Sequence, residues 1–245
     1  TFFTDSLLRS WIELGLKHNT DINVARFKVQ EAEAALQAAR WALLPGASFS
    51  LKGGLPGTFS TSVNASWETD IFGSLRNASR KAEAAVKQSE AYKQAVQTQL
   101  VATIANSYYT LLMLDEQLAI SERTLKTWEE NISTLEALKR AGKTNEAAVL
   151  QAKANRLDVE GSVYNLHRQI FEAENSFAAL LGTVPFKINR SKIEDQTFDH
   201  IYFSSGIPAD LLSNRPDVRQ AEMALAQAFY ATNISRASFY PRLNL

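Results

Sequence analysis

The sequence predicts a mainly α-helical chain with a small β part, built on long antiparallel coiled-coil helices with a β-hairpin inserted among them. Three observations predict it. A near-repeat aligns the first 31 residues of 19–51 (NTDINVARFKVQEAEAALQAARWALLPGASFSL) with residues 215–245 without a gap. It matches Asp21 to Asp217, Ile22 to Val218, Ala25 to Ala221, Ala32 to Ala228, Ala35 to Ala231, Arg40 to Arg236 and Pro45 to Pro241 at one constant offset. A stretch from 75 to 140 contains neither Gly nor Pro and is dominated by Ala, Glu, Gln, Lys and Leu. Between the first repeat and that stretch, apolar and polar residues alternate with the period of a strand. The repeated unit is a helix that runs into a strand.

Taken in order, Leu7, Leu8, Trp11, Leu14 and Leu16 fall near helical spacing, with Thr4 or Asp5 as N-cap of a short amphipathic helix. Thr20 or Asp21 caps a second helix reaching about Leu43, which Pro45 ends, because the residue before proline is pushed out of the helical region. Ala47, Phe49 and Leu51 then alternate with Ser48, Ser50 and Lys52. After a turn containing Gly53, Gly54, Pro56 and Gly57, Phe59, Thr61, Val63, Ala65 and Trp67 oppose Ser60, Ser62, Asn64, Ser66 and Glu68. This is a hairpin with one apolar and one hydroxyl-rich face. Alternation alone favours a half-buried sheet packed on a core over a membrane barrel.

The Gly- and Pro-free stretch would span ~100 Å as one helix, too long to bury itself in a small core. Its apolar residues, among them Val86, Leu100, Ile104, Tyr108, Leu111, Leu118, Leu125 and Ile132, recur at threes and fours, so it should lie along another helix. Gly142 suits a left-handed C-cap, and Thr144 or Asn145 an N-cap, so Ala141, Gly142, Lys143, Thr144 and Asn145 form a helical hairpin tip. The return helix, from about Glu146 to Leu181, covers ~55 Å. The arms are therefore unequal unless the outgoing one is broken or passes the other. Residues 183–207 lack a clear period and read as an irregular crossing segment with one short strand. Pro208 to Ser213 gives a helical turn before Arg215 and Pro216 open the second repeat.

Composition narrows the function classes. The 26 basic and 26 acidic residues balance, which removes the electrostatic footprint of a nucleic-acid binder. Cysteine is absent, so thiol nucleophiles and cysteine metal sites are excluded within these residues. His18, His167 and His200 fall in separate elements, and no metal, phosphate-loop or nucleophile-elbow motif occurs, so an enzyme is not expected and no cofactor is called for. Asn64, Asn77, Asn131 and Asn233 begin NxS tripeptides, read as chance matches. Trp41, Trp67, Phe239 and Tyr240 sit at helix and strand junctions, suited either to a membrane interface or to a plug between helix and sheet.

The ordered set LLPGASFSL, SWETDIFGSLRNASRKAEAA, ANSYYTLLMLDEQLAISERTL, AGKTNEAAVLQA, FAALLG, LLSNRPDVRQAEMALAQA and FYPRLNL resembles the TolC-type outer-membrane efflux factors. It is most similar to the lipoprotein branch serving resistance-nodulation-division pumps. The resemblance covers nearly the whole chain. It implies a homotrimer in which each protomer gives strands to a shared outer-membrane β-barrel and long helices to a shared periplasmic α-barrel. That assembly is a passive exit duct for drugs or other small solutes, working with a periplasmic adaptor and an inner-membrane transporter.

On this resemblance Phe59, Val63 and Trp67 face lipid, and Ser60, Ser62, Asn64 and Ser66 face the lumen. The adaptor docks at Ala141, Gly142, Lys143, Thr144 and Asn145, and Pro45 and Pro241 mark the helix-to-strand junctions. The expected divisions are N-terminal helices over 1–45, the hairpin over 46–72, a periplasmic helical hairpin over 73–182, an equatorial crossing segment over 183–214 and a truncated second repeat over 215–245. The chain reads as a fragment: the second hairpin, the next long helix pair and the gate helices of such factors are expected beyond it, and an acylated Cys upstream. The turn at 53–57 is also short for the outer loop of such factors. The alternative is an envelope coiled-coil scaffold without a pore.

Overall fold

The computed structural model describes residues 3–54, 57–196 and 213–244. Its elements are α1 (Ser6–His18), α2 (Thr20–Trp41), β1 (Gly46–Gly54), β2 (Thr58–Ser66), β3 (Glu68–Thr69), α3 (Ser74–Arg140), α4 (Glu146–Leu180), a 3₁₀ turn (Ile193–Asp195), α5 (Pro216–Ala237) and β4 (Leu243–Asn244). The fold is mostly helical with small antiparallel β elements and long packed helices. The described residues hold two two-stranded sheets and no closed barrel.

The chain divides into two compact units, and the division falls inside α3. One contains residues 3–20 and 99–196. Here Asp5 caps α1, its carboxylate accepting the N–H groups of Leu7 at 2.8 Å and Leu8 at 3.4 Å. Leu8, Ile104, Tyr108, Leu111, Leu112, Phe177, Ala178 and Leu181 form the buried core, drawn from α1, α3 and the end of α4. Burying such a side chain contributes ~1.5–3 kcal/mol, so this cluster rather than helix propensity holds the unit together.

The other unit contains α2, the hairpin, residues 74–98 of α3, α5 and the short strands. Ile22, Ala25, Ala84 and Ala91 are buried, and the alanines let helices approach closely. The Gln227 side-chain amide donates to Gln88 at 2.7 Å, and the Lys28 ammonium lies 4.6 Å from the centre of the Tyr92 ring. These contacts place α2 and α5 beside the first part of α3. They also answer the unequal arms: α3 is an unbroken helix of 67 residues, α4 has 35, and the surplus of α3 belongs to a second set of partners.

The duplication is repeated in the backbone. α2 and α5 each have 22 residues. Both end on the same bonds: Ala42, Leu43 and Leu44 donate to Ala38, Arg40 and Trp41, and Ser238, Phe239 and Tyr240 donate to Ile234, Arg236 and Ala237. The described part of the crossing segment, residues 183–196, contains a 3₁₀ turn and no strand. The half-buried sheet is not seen, because the apolar face of the hairpin is open. Pro56, the rest of the crossing segment with His200, and the expected helical turn over 208–212 lie outside the described residues.

Candidate functional site

The hairpin has a strict antiparallel register, with Ala47 opposite Ala65, Phe49 opposite Val63, Leu51 opposite Thr61 and Gly53 opposite Phe59. Period two then places Ser48, Ser50, Lys52, Ser60, Ser62, Asn64 and Ser66 together on the other face. The Ser50 and Ser62 hydroxyls meet across that face at 2.7 Å. On the apolar face Phe49, Leu51, Val63 and Phe59 are 69, 63, 72 and 82% exposed. Both faces are thus uncovered. Trp67, expected on the strand with Phe59 and Val63, lies between β2 and β3, and its indole N–H donates to the Leu43 carbonyl at 3.2 Å. That bond turns the alternation's last apolar residue into a clamp on the end of the first repeat.

Around residues 67–72 the two repeat copies are gathered. Pro45 precedes β1, Pro241 precedes β4, and β4 pairs with β3 through Leu243 opposite Thr69 and Asn244 opposite Glu68. Phe72 stacks on Tyr240 with ring centres 4.5 Å apart. Asp70 then starts α3, accepting the Leu75 and Arg76 N–H groups at 3.0 and 2.9 Å and the Arg76 Nε at 3.1 Å. Burial would raise the Asp70 carboxyl, but these bonds outweigh it and hold the group below the usual carboxylate range.

At the tip, Gly142 takes a left-handed conformation, φ 72°, and the Gly142 and Lys143 N–H groups bond back to Lys139 and Leu138, both at 2.9 Å. This is a Schellman cap. Asn145 opens α4 by accepting the Ala148 N–H at 3.0 Å, so the five residues from Ala141 to Asn145 form the turn. Lys139–Glu146, Glu136–Lys153 and Glu129–Arg156 pair α3 with α4 beside it. Val149 and Ala152 are buried behind the turn, whereas Ala141, Gly142, Lys143 and Asn145 are exposed.

Two polar knots had no sequence signal, because their members are far apart in the chain. Asp5 accepts hydrogen bonds from Tyr108 at 2.7 Å, from Gln196 at 3.0 Å and from the Ser191 hydroxyl. Arg190, with its side chain 11% exposed, pairs with Asp115 and Glu174, its Nη2 lying 2.7 Å from Asp115 Oδ1. These bonds push the Arg190 pKa further up. Together with the Trp11 indole, which donates to the Asn189 carbonyl at 3.1 Å, they fasten the crossing segment to α1, α3 and α4. Among the described residues, no three His, Asp or Glu side chains are placed to hold a metal ion, and no helix is long and apolar enough to cross a membrane.

These elements have known counterparts. The family described as outer membrane efflux protein matches residues 11–183. Over its whole length the chain is 30% identical to the cation efflux system protein CusC of Escherichia coli O6:H1 (strain CFT073), covering 55% of that protein. It is 28% identical, again over its whole length, to the toluene efflux pump outer membrane protein TtgF of Pseudomonas putida (strain DOT-T1E), covering 54% of it. A CusC crystal structure matches with a TM-score of 0.87 at 29% identity, over 100% of this chain and 59% of that one. The chain spans about half the length of the curated relatives it matches. The family match runs from α1 through the hairpin, α3 and the tip to the glycine cap that ends α4, and the chain belongs to the outer membrane efflux protein family.

Proposed function

We propose that this chain is part of the wall of a TolC-type outer-membrane channel, the passive exit duct of a tripartite efflux system. The observation that carries the proposal is the hairpin: nine-residue strands with one apolar and one hydroxyl face, both uncovered. At ~3.4 Å per residue and a tilt of ~45°, nine residues rise ~21 Å, close to the ~25 Å apolar band of an outer-membrane barrel. Leaving Phe49, Leu51, Phe59 and Val63 in water would forgo roughly 6–12 kcal/mol of burial. A pore-free scaffold leaves that unclaimed, whereas lipid supplies it.

On this reading Phe59, Val63 and Trp67 lie on the lipid side, and Ser60, Ser62, Asn64 and Ser66 line the water-filled lumen. Pro45 and Pro241 mark the passage from periplasmic tunnel to barrel. A lone hairpin has two open edges, and three protomers in a ring close them. Leu150, Leu157, Tyr164 and Phe171, seven residues apart and all exposed along α4, have the spacing of a coiled-coil seam, which supports further helices beside it in the assembly. The exposed tip from Ala141 to Asn145 receives the periplasmic adaptor of an inner-membrane transporter. The names of the relatives, cation and toluene efflux, favour small exported solutes. A lipid anchor, as in the lipoprotein branch, would be carried outside these residues. The duct is a conduit and performs no catalysis.

Single-channel conductance of the full-length trimer in a planar bilayer tests the proposal. This chain has no cysteine, so single cysteines can be introduced directly into it. Conductance should change when a charged thiosulfonate modifies S60C, S62C or N64C, and stay constant with F59C or V63C. A folded trimer that does not conduct, or the reverse labelling pattern, overturns it.

A further inference from the structure

Ile71, Phe72, Gly73, Arg76, Asn77 and Arg80 line an open cavity of about 270 Å³ where the chain leaves β3 and enters α3. Its chemistry is two-sided. Ile71 and Phe72 remain exposed although strongly apolar, and Phe72 continues into Tyr240 by ring stacking. The same cavity is lined by two arginines, Arg76 and Arg80. Arg76 donates to the Asp70 carboxylate and, through Nη2 at 2.9 Å, to the Asp70 carbonyl, yet its side chain stays 61% exposed. Among the described residues Arg80 makes no hydrogen bond or ion pair, although its charge acts on Glu83, one turn further on, which Lys87 holds at 2.9 Å. The Leu75 and Arg76 N–H groups in the first turn of α3 are occupied by Asp70, so the attraction for an anion resides in the side chains.

We propose that this cavity holds the phosphodiester headgroup of a membrane glycerophospholipid. Arg80 and the exposed part of Arg76 take the phosphate oxygens, which a planar guanidinium matches in geometry and charge. Ile71 and Phe72 receive the first methylenes of the acyl chains. A free phosphate would satisfy the arginines and leave the apolar wall in water, and a neutral apolar guest would leave the arginines unused. Only an amphipathic anion uses both walls. The proposal rests on the membrane reading of the hairpin, which brings residues 71–80 to the lipid headgroups.

The test is native mass spectrometry of delipidated full-length protein titrated with phosphatidylglycerol, alongside conductance of the same variants. R80Q should weaken lipid binding about tenfold or more, the loss expected of a hydrogen bond between charged groups. I71S should weaken it less, and K81Q, which removes a charge outside the cavity, should leave it unchanged. Inorganic phosphate should not displace the lipid. R80Q that conducts normally and binds lipid as the unaltered protein does would overturn the lipid site while leaving the duct standing, and so would displacement by inorganic phosphate. Absence of conductance in the unaltered trimer would instead remove the duct reading on which the site depends.

Discussion

Asp5 shows how one side chain serves two levels of structure. Its carboxylate caps α1 and anchors the crossing segment through Ser191 and Gln196, with Tyr108 of α3 between them. Burial by itself would raise its pKa, but hydrogen bonds from Ser191, Tyr108, Gln196 and the Leu7 N–H favour the charged form and bring it from 3.8 to about 2. Burial pushes the Tyr108 phenol up, so it keeps its proton and remains a donor. Because the folded pKa of Asp5 lies below the unfolded one, its contribution is complete above pH ~4 and is lost as pH falls towards 2. Asp5→Ala should cost roughly 2 kcal/mol at neutral pH through the lost cap and hydrogen bonds. It should also flatten the stability profile between about pH 4 and 2, measured by chemical denaturation across that range. An acid profile as steep as that of the unaltered protein would show that this knot is not the acid-sensitive element. Thr4 or Asp5 could be named as a cap from sequence, but the knot could not, since Ser191 and Gln196 approach Asp5 only after α4 has returned the chain.

The helices are ended by one device used twice, in surroundings that differ. Gly142 and Gly182 both have positive φ, 72° and 70°, and both close Schellman caps. A Cβ at Gly142 would meet nothing within 4 Å, whereas at Gly182 it would lie 2.6 Å from the His18 carbonyl oxygen. Gly142→Ala should therefore cost only the left-handed backbone term, about 1–2 kcal/mol. Gly182→Ala adds a backbone clash and should cost clearly more, with the difference read as a lower denaturation midpoint. Equal effects would mean that the α1–α4 approach is softer than its geometry shows. The ion pairs between α3 and α4 are partly exposed and contribute little individually, so they favour one register rather than supply the stability. Helix boundaries were legible in sequence because Gly, Pro and Asn at 45, 142, 145 and 182 act locally. Strand alternation does not register that the Trp67 indole, just past β2, donates to the Leu43 carbonyl.

At the scale of the whole molecule, the helices carry their own core and the hairpin does not. Replacing residues 47–65 with a short Gly-Ser linker in the full-length protein should preserve its helical circular dichroism and abolish conductance. Conductance surviving that change would remove the hairpin from the pore. Sequence by itself determined the duplication, the long helices, the tip and the two-faced strands, because each is written in local period, in helix-stopping residues or in self-similarity. It also carried the family resemblance, through motifs spread over nearly the whole chain. Tertiary structure alone decided which partners α3 uses along its 67 residues, the polar knots that tie down the crossing segment, the grouping of both repeat copies around residues 67–72, and the exposure of the hairpin's apolar face. Those features depend on side chains separated by up to 191 positions, as Asp5 and Gln196 are, and no local pattern encodes which distant group will satisfy a buried charge or leave an apolar face bare.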